Sequence, residues 1–192
     1  MKQELPYLKE WLDFALNGNF VKAQELYYDK LFPVVIEKFK ASYENVLPKN
    51  GILFSILGYS PEPIILTAKT VDPNRHFIFT SNDKADGNEY LEKFLNSEYE
   101  IINFKDESFS AIYKCLKEQL VLNPSSEIVI DITGGKKSMV ASAAIFGKDY
   151  NCKIVYVDFS DYIKELRKPM PGSELLNIVY DPNINQPEIF IK

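Results

Sequence analysis

From Gly51 onward, short apolar runs of strand length alternate with longer segments that read as helices. The runs are Gly51–Leu57 (GILFSIL), His76–Ser81 (HFIFTS), Tyr99–Phe104 (YEIINF), Ile128–Thr133 (IVIDIT), Lys153–Phe159 (KIVYVDF) and Leu175–Tyr180 (LLNIVY), the last expected at an edge. The helical segments are Pro63–Thr70, Glu89–Asn96, Glu107–Leu122 and Lys136–Tyr150. In the third of these, Ile112, Cys115, Leu116 and Leu120 fall on one inward stripe. Nearly continuous apolar strands need cover on both faces, and the alternation with helices supplies it. Right-handed crossovers then make the predicted fold α/β, a Rossmann-like, doubly wound and mainly parallel sheet.

Residues 3–46 are patterned differently and read as a helical pair. Tyr7, Leu8, Trp11, Leu12, Ala15 and Leu16 recur at helical spacing, Asn17-Gly18-Asn19 breaks the pattern, and Phe20, Ala23, Tyr27, Leu31 and Val34 form a second stripe. Pro33 is expected to kink the second helix. Pro48-Lys49-Asn50-Gly51 closes the pair, so the expected division is a helical hairpin over 1–50 and a Rossmann-like domain over 51–192.

In a doubly wound sheet, ligands bind beyond the carboxyl ends of the strands, where the strand order reverses. With the common order 3-2-1-4-5 that point lies between strands 1 and 4, and these two strands run into the most distinctive loops of the chain. The first is Gly58-Tyr59-Ser60-Pro61-Glu62-Pro63. Gly58 permits a sharp turn or a close approach, and Ser60 with Pro61 reads as a helix cap followed by a first-turn proline. The second is Asp131-Ile132-Thr133-Gly134-Gly135-Lys136-Lys137-Ser138-Met139. Its two glycines let backbone N–H groups converge on an anion, and a helix N-terminus follows. Thr133 and Ser138 are hydrogen-bond donors there, and Asp131 is expected to hold the loop in shape. Lys136 and Lys137 stand where the helix dipole disfavours cations, which points to a bound anion rather than a plain turn. The spacing is neither the Walker A pattern nor Gly-x-Gly-x-x-Gly, which argues against P-loop hydrolysis and against NAD or FAD.

The net charge of −5 argues against a protein that wraps long DNA or RNA, but leaves room for a small anion held by backbone groups and a few lysines. No apolar run reaches membrane-span length and no signal peptide opens the chain, so a cytoplasmic protein without membrane partners is expected. Cys115 and Cys152 form no Cys-x-x-Cys pair and read as buried free thiols. With His76 as the sole histidine, no metal and no organic cofactor is expected.

Asp131 to Met139 resembles the signature of the CRISPR-associated Rossmann fold (CARF) family, and Gly58 to Pro63 resembles that family's other ligand loop. The stretch Arg167-Lys168-Pro169-Met170-Pro171-Gly172-Ser173-Glu174 is similar to one branch of it, and the likeness runs from about Gly51 to Asp181. The resemblance implies a homodimer that senses cyclic oligoadenylate, the second messenger of type III CRISPR antiviral defence, across its two-fold axis. On that basis Gly58, Tyr59, Ser60, Pro61, Asp131, Thr133, Gly134, Gly135, Lys136, Lys137, Ser138 and Met139 are the expected ligand contacts. Family members usually fuse this sensor to an effector; here only a short tail follows Asp181, so an effector partner, or an effector domain beyond this stretch, is expected. Two alternatives stay open. One is a metal-independent ring nuclease that cleaves the messenger, with Ser60, Lys136, Lys137 and Lys168 as the residues at the chemistry. The other is a Rossmann-like domain for a different nucleotide-like anion.

Overall fold

A computed structural model describes residues 5–81, 88–95, 98–125 and 127–184. Gln3, Glu4 and Asn96, at the ends of two expected helices, lie outside the described residues. The chain forms two compact units: residues 1–44 with 158–175, and residues 45–157 with 176–192.

The larger unit carries the α/β architecture. Its strands are β1 (Ile52–Ile56), β2 (Arg75–Thr80), β3 (Tyr99–Asn103), β4 (Ile128–Asp131), β5 (Lys153–Phe159) and β8 (Glu174–Tyr180), in the order β3-β2-β1-β4-β5-β8. The pairs β1–β2, β1–β4, β2–β3 and β4–β5 are parallel. The order reverses between β1 and β4, as the common 3-2-1-4-5 arrangement has it. Four helices fill the crossovers: α4 (Glu62–Val71), α5 (Asn88–Phe94), α6 (Phe109–Leu122) and α7 (Lys137–Asp149).

The alternation of side chains along each strand divides the core. Ile52, Phe54 and Ile56 of β1 face Phe77, Phe79, Ile130, Ile112, Leu116, Met139 and Phe146 on the side covered by α6 and α7. Leu53, Ser55 and Leu57 turn to the opposite face. Phe54 stacks edge-on against Phe77 and Phe79 at centroid distances of 5.5 and 5.3 Å. Helix α4 is buried along almost its whole length, with Ile64, Ile65, Leu66 and Val71 all at 2% exposure or less. Each such side chain contributes about 1.5–3 kcal/mol by leaving water. An apolar, central helix of this kind fixes the loop before it, which is the first of the two candidate loops.

In the smaller unit, α1 (Leu8–Leu16) is followed by α2 (Phe20–Leu26), a π-helical stretch (Tyr27–Leu31) and α3 (Phe32–Tyr43). The last three run on as one helix, so the expected pair is present with a changed interior. Pro33 has no N–H to donate, and the wider π turns lie immediately before it. The extra residue in the π turn displaces the later stripe, so that Leu31, Phe32, Val35, Ile36 and Phe39 are buried. Phe20, placed on the inner stripe by its spacing, is the first helical residue and is 66% exposed. Trp11, Tyr27 and Phe32 form an aromatic stack inside this unit. Residues 158–175 group with these helices instead of with the rest of 51–192. Lys38 Nζ donates to Gly172 O at 2.6 Å, and Gly172, at φ +85°, sits so close that a Cβ there would overlap Leu5. This segment carries a small antiparallel ribbon, β6 (Tyr162–Ile163) with β7 (Lys168–Pro169), which the apolar pattern does not signal. Among the described residues no helix is long and apolar enough to cross a membrane.

Candidate functional site

The two loops at the switch point meet backbone to backbone. A Cβ built on Gly58 would lie 2.7 Å from the Gly135 nitrogen, and one on Gly134 would lie 2.5 Å from both the Gly58 nitrogen and the Ile56 carbonyl oxygen. Real Cβ atoms do not come so near, so glycine is required on both sides of the contact. Gly135 adds a second requirement, a positive φ of +88°, and packs on the Ile56 and Met139 side chains. The glycines therefore weld the loop after β1 to the loop after β4, and the two act as one surface.

Asp131 sets the shape of the second loop. Its carboxylate Oδ1 accepts the Thr133 backbone N–H at 2.9 Å and the Thr133 hydroxyl proton. The same Thr133 oxygen accepts the Val157 N–H at 2.8 Å, tying the loop to β5. Asp131 is wholly buried, and burial raises its pKa against the opposing hydrogen bonds from Thr133 and the Thr67 side chain. In ordinary hydrogen-bond geometry Oδ2 of Asp131 and the Thr67 hydroxyl remain unpartnered. From its buried position the carboxyl braces the loop through Thr133.

Helix α7 then begins openly. Lys136 occupies the cap position in extended geometry, no side chain caps the first turn, and no acidic residue lies in it. The first N–H groups of a 13-residue helix are thus left without an internal partner, next to Lys137 and Ser138, both exposed. Met139 is fully buried and serves the core beneath Gly135, so it supports the cradle from below.

In the first loop the geometry differs from the expected cap. Helix α4 starts at Glu62, its cap position is Pro61, and no side chain caps it. Ser60 is exposed and free of that structural duty, and Tyr59 beside it is 85% exposed. An aromatic ring so uncovered at a glycine-anchored loop is a platform on which a base or a second subunit could stack.

A further side chain joins the site that the sequence pattern assigns to a helix. Glu107 lies in the loop after β3, because α6 starts only at Phe109 with Ser108 as its cap and Asp106 bracing Ser108. From there both Glu107 carboxylate oxygens accept from Lys136 Nζ, at 2.6 and 2.7 Å. The Ser81 hydroxyl also bonds to it. Lys137 forms no ion pair among the described residues. Lys168 is exposed in β7 of the smaller unit.

His76 is not part of this surface. Its Nε2 is 2.9 Å from the Ser55 hydroxyl oxygen, the residue is 1% exposed, and burial holds its pKa down to about 3. The pair resembles a nucleophile and base in spacing only: Ser55 is 0% exposed, so no substrate reaches it.

Over 167 residues the chain is 26% identical to the CRISPR system endoribonuclease Csm6 of Thermus thermophilus, a match covering 83% of this chain and 36% of that protein. The chain is thus similar to part of a CRISPR endoribonuclease over most of its own length. It spans about a third of the length of that curated relative. Protein VC1899 of Vibrio cholerae shares the fold of this chain, with a TM-score of 0.51 and 14% identity over 70% of this chain and 34% of that one. Can2 of Sulfobacillus thermosulfidooxidans, solved in complex with cyclic tetra-adenylate, aligns with a TM-score of 0.47 and 15% identity over 69% of this chain and 38% of that one. No protein-family model matches the chain.

Proposed function

We propose that this chain carries a CARF domain, a sensor that binds a cyclic oligoadenylate across a homodimer in type III CRISPR defence. The observation that carries the reading is the glycine-to-glycine contact of the two loops at the switch point. It makes a single rigid surface from an uncapped helix start, Lys136, Lys137, Ser138 and the exposed Tyr59. Backbone N–H groups and two lysines suit a phosphodiester, and an exposed aromatic ring suits a nucleobase. Similarity to a CRISPR system endoribonuclease over most of the chain supports a role in CRISPR defence. A ring of repeated nucleotides has rotational symmetry, so two copies of the surface related by a two-fold axis would each take half of it.

The surface supports binding better than cleavage. The sole histidine is sequestered with Ser55 inside the sheet and stays neutral, and the carboxyl of Asp131 is enclosed beneath the loop. Neither reaches a bound ring as a general base.

Thermal unfolding with cyclic tri-, tetra- and hexa-adenylate, against linear oligoadenylate and ATP, tests the reading. A ring present at about 100 times its dissociation constant should add ~2.7 kcal/mol. In a chain of this size that raises the midpoint by roughly 5–10 °C. Lys136→Ala with Lys137→Ala should abolish the shift and leave the ligand-free midpoint near that of wild type. No shift with any ring, or a shift that survives the double substitution, refutes the assignment. Sedimentation with and without the ring reads the dimer directly.

A further inference from the structure

The ammonium expected to meet a ligand phosphate is already occupied. Lys136 Nζ makes a two-pronged contact with Glu107, and the pair is half open to water, with side-chain exposures of 59% and 37%. Glu107 belongs to a different loop, after β3, and the Ser81 side chain, just past β2, also hydrogen-bonds to it. The carboxylate thus presents to Lys136 two oxygens on one centre, the same arrangement that a phosphodiester offers.

We propose that Glu107 is a specificity-determining residue of the cradle, an internal counter-ion that a ligand must displace from Lys136. The proposal rests on the reading of the two loops as an anion cradle. An exposed ion pair is weak, so displacement is easy for a ligand anchored elsewhere on the same surface. A cyclic oligonucleotide has such anchors, in its other phosphates and its bases, and loses little. A small anion with one or two phosphates has no second anchor and meets both the occupied lysine and the repulsion of the displaced carboxylate. Glu107 therefore selects rings over the small phosphates and mononucleotides that share their chemistry. The sign is definite: neutralising Glu107 strengthens binding, and it does so most for the smallest anions.

The experiment compares wild type, Glu107→Gln, Lys136→Ala and the double variant, with pyrophosphate and cyclic tetra- and hexa-adenylate as probes. Backbone amide shifts of Gly134 to Ser138 report occupancy. The pyrophosphate midpoint of Glu107→Gln should fall by about two- to fivefold, the worth of one exposed ion pair. The gain should vanish in the Lys136→Ala background, because the effect runs through that ammonium. Ring affinity should rise by a smaller factor than pyrophosphate affinity. An unchanged or higher pyrophosphate midpoint in Glu107→Gln, no response of those amides in that variant, or a gain that persists without Lys136 overturns the proposal. If pyrophosphate behaves as expected and no ring binds either protein, the counter-ion stands and the oligoadenylate reading falls. If rings bind both proteins and the pyrophosphate midpoints coincide, the reverse holds.

Discussion

Gly134→Ala is the sharpest perturbation of the cradle, because it adds one methyl group and nothing else. Gly134 does not need a left-handed backbone, so alanine there is sterically and not conformationally opposed. The added carbon would lie 2.5 Å from the Gly58 nitrogen and 2.5 Å from the Ile56 carbonyl oxygen. Both are backbone atoms, one at the end of β1 and one two residues beyond it, and neither can swing aside as a side chain would. To reach ordinary contact near 3.4 Å, the loops must part by about 0.9 Å. A binding constellation tolerates displacements of about 0.5 Å, so ring affinity should fall by roughly tenfold or more. Forcing extra volume into a packed contact costs about 1–3 kcal/mol. For this chain length that lowers the unfolding midpoint by roughly 2–12 °C. Calorimetric titration with whichever ring wild type binds, together with a melting curve, measures both. Gly18→Ala is the control: Gly18 has a φ of +75° with nothing within 4 Å, and it lies in the other unit. It should lose stability through its backbone conformation and keep full ring affinity. A Gly134→Ala protein that melts with wild type and binds with unchanged affinity would refute the welded-loop geometry.

Two other predictions concern groups outside the cradle. His76 has a folded pKa of about 3 against 6.5 in the unfolded chain, so the unfolded state binds more protons between those values and stability falls as pH drops through that window. At pH 5 the loss relative to neutral pH is about 2 kcal/mol, and denaturant titration at both pH values should show that loss in wild type but not in His76→Gln; equal pH slopes would refute the assignment. Cys152 is 1% exposed with its pKa pushed up to about 12, whereas Cys115 is half-buried with a smaller upward push from burial and from Glu118. A thiol reagent at pH 8 should therefore label Cys115 slowly and Cys152 only on unfolding, and rapid labelling of Cys152 in the native protein would contradict its burial.

The sheet was legible because its strands are apolar on both faces. Ile52–Ile56 and Ile128–Asp131 stand out from their polar flanks, and the crossover rules then leave little choice of order. The two loops were legible for the opposite reason, since glycines and lysines directly after buried strands have no use in a core. What the pattern could not carry was any relation between distant segments. Gly58 reads as a turn, and only the fold shows that its missing side chain makes room for Gly134 and Gly135. Glu107 reads as the first residue of a helix, and the helix begins later because Ser108 accepts the cap bond from Ala111. Ser60 reads as a cap, but the turn through Pro61 starts α4 without one. The ribbon of β6 and β7 is too short for a period to be detected, and its grouping with the N-terminal helices depends on Lys38 and Leu5 meeting Gly172.

The two misread residues, Ser60 and Glu107, share a cause that bears on function. Each lies where a strand of the sheet hands over to a helix at its carboxyl edge, and there local propensity is deliberately left unsatisfied. A Ser60 that capped α4, a Glu107 inside α6, or an acidic first turn in α7 would each improve its own helix by about 0.5–1 kcal/mol. Each would also remove a group from the surface where the strand order reverses. The chain instead leaves α4 and α7 without side-chain caps and places a capping hydroxyl, Ser108, on the helix whose start frees Glu107 to reach Lys136. A fold under selection for stability alone would close those ends. One that must present N–H groups and a displaceable lysine to an anion keeps them open, and the same openness explains why the helix boundaries were hardest to read where the ligand is proposed to bind.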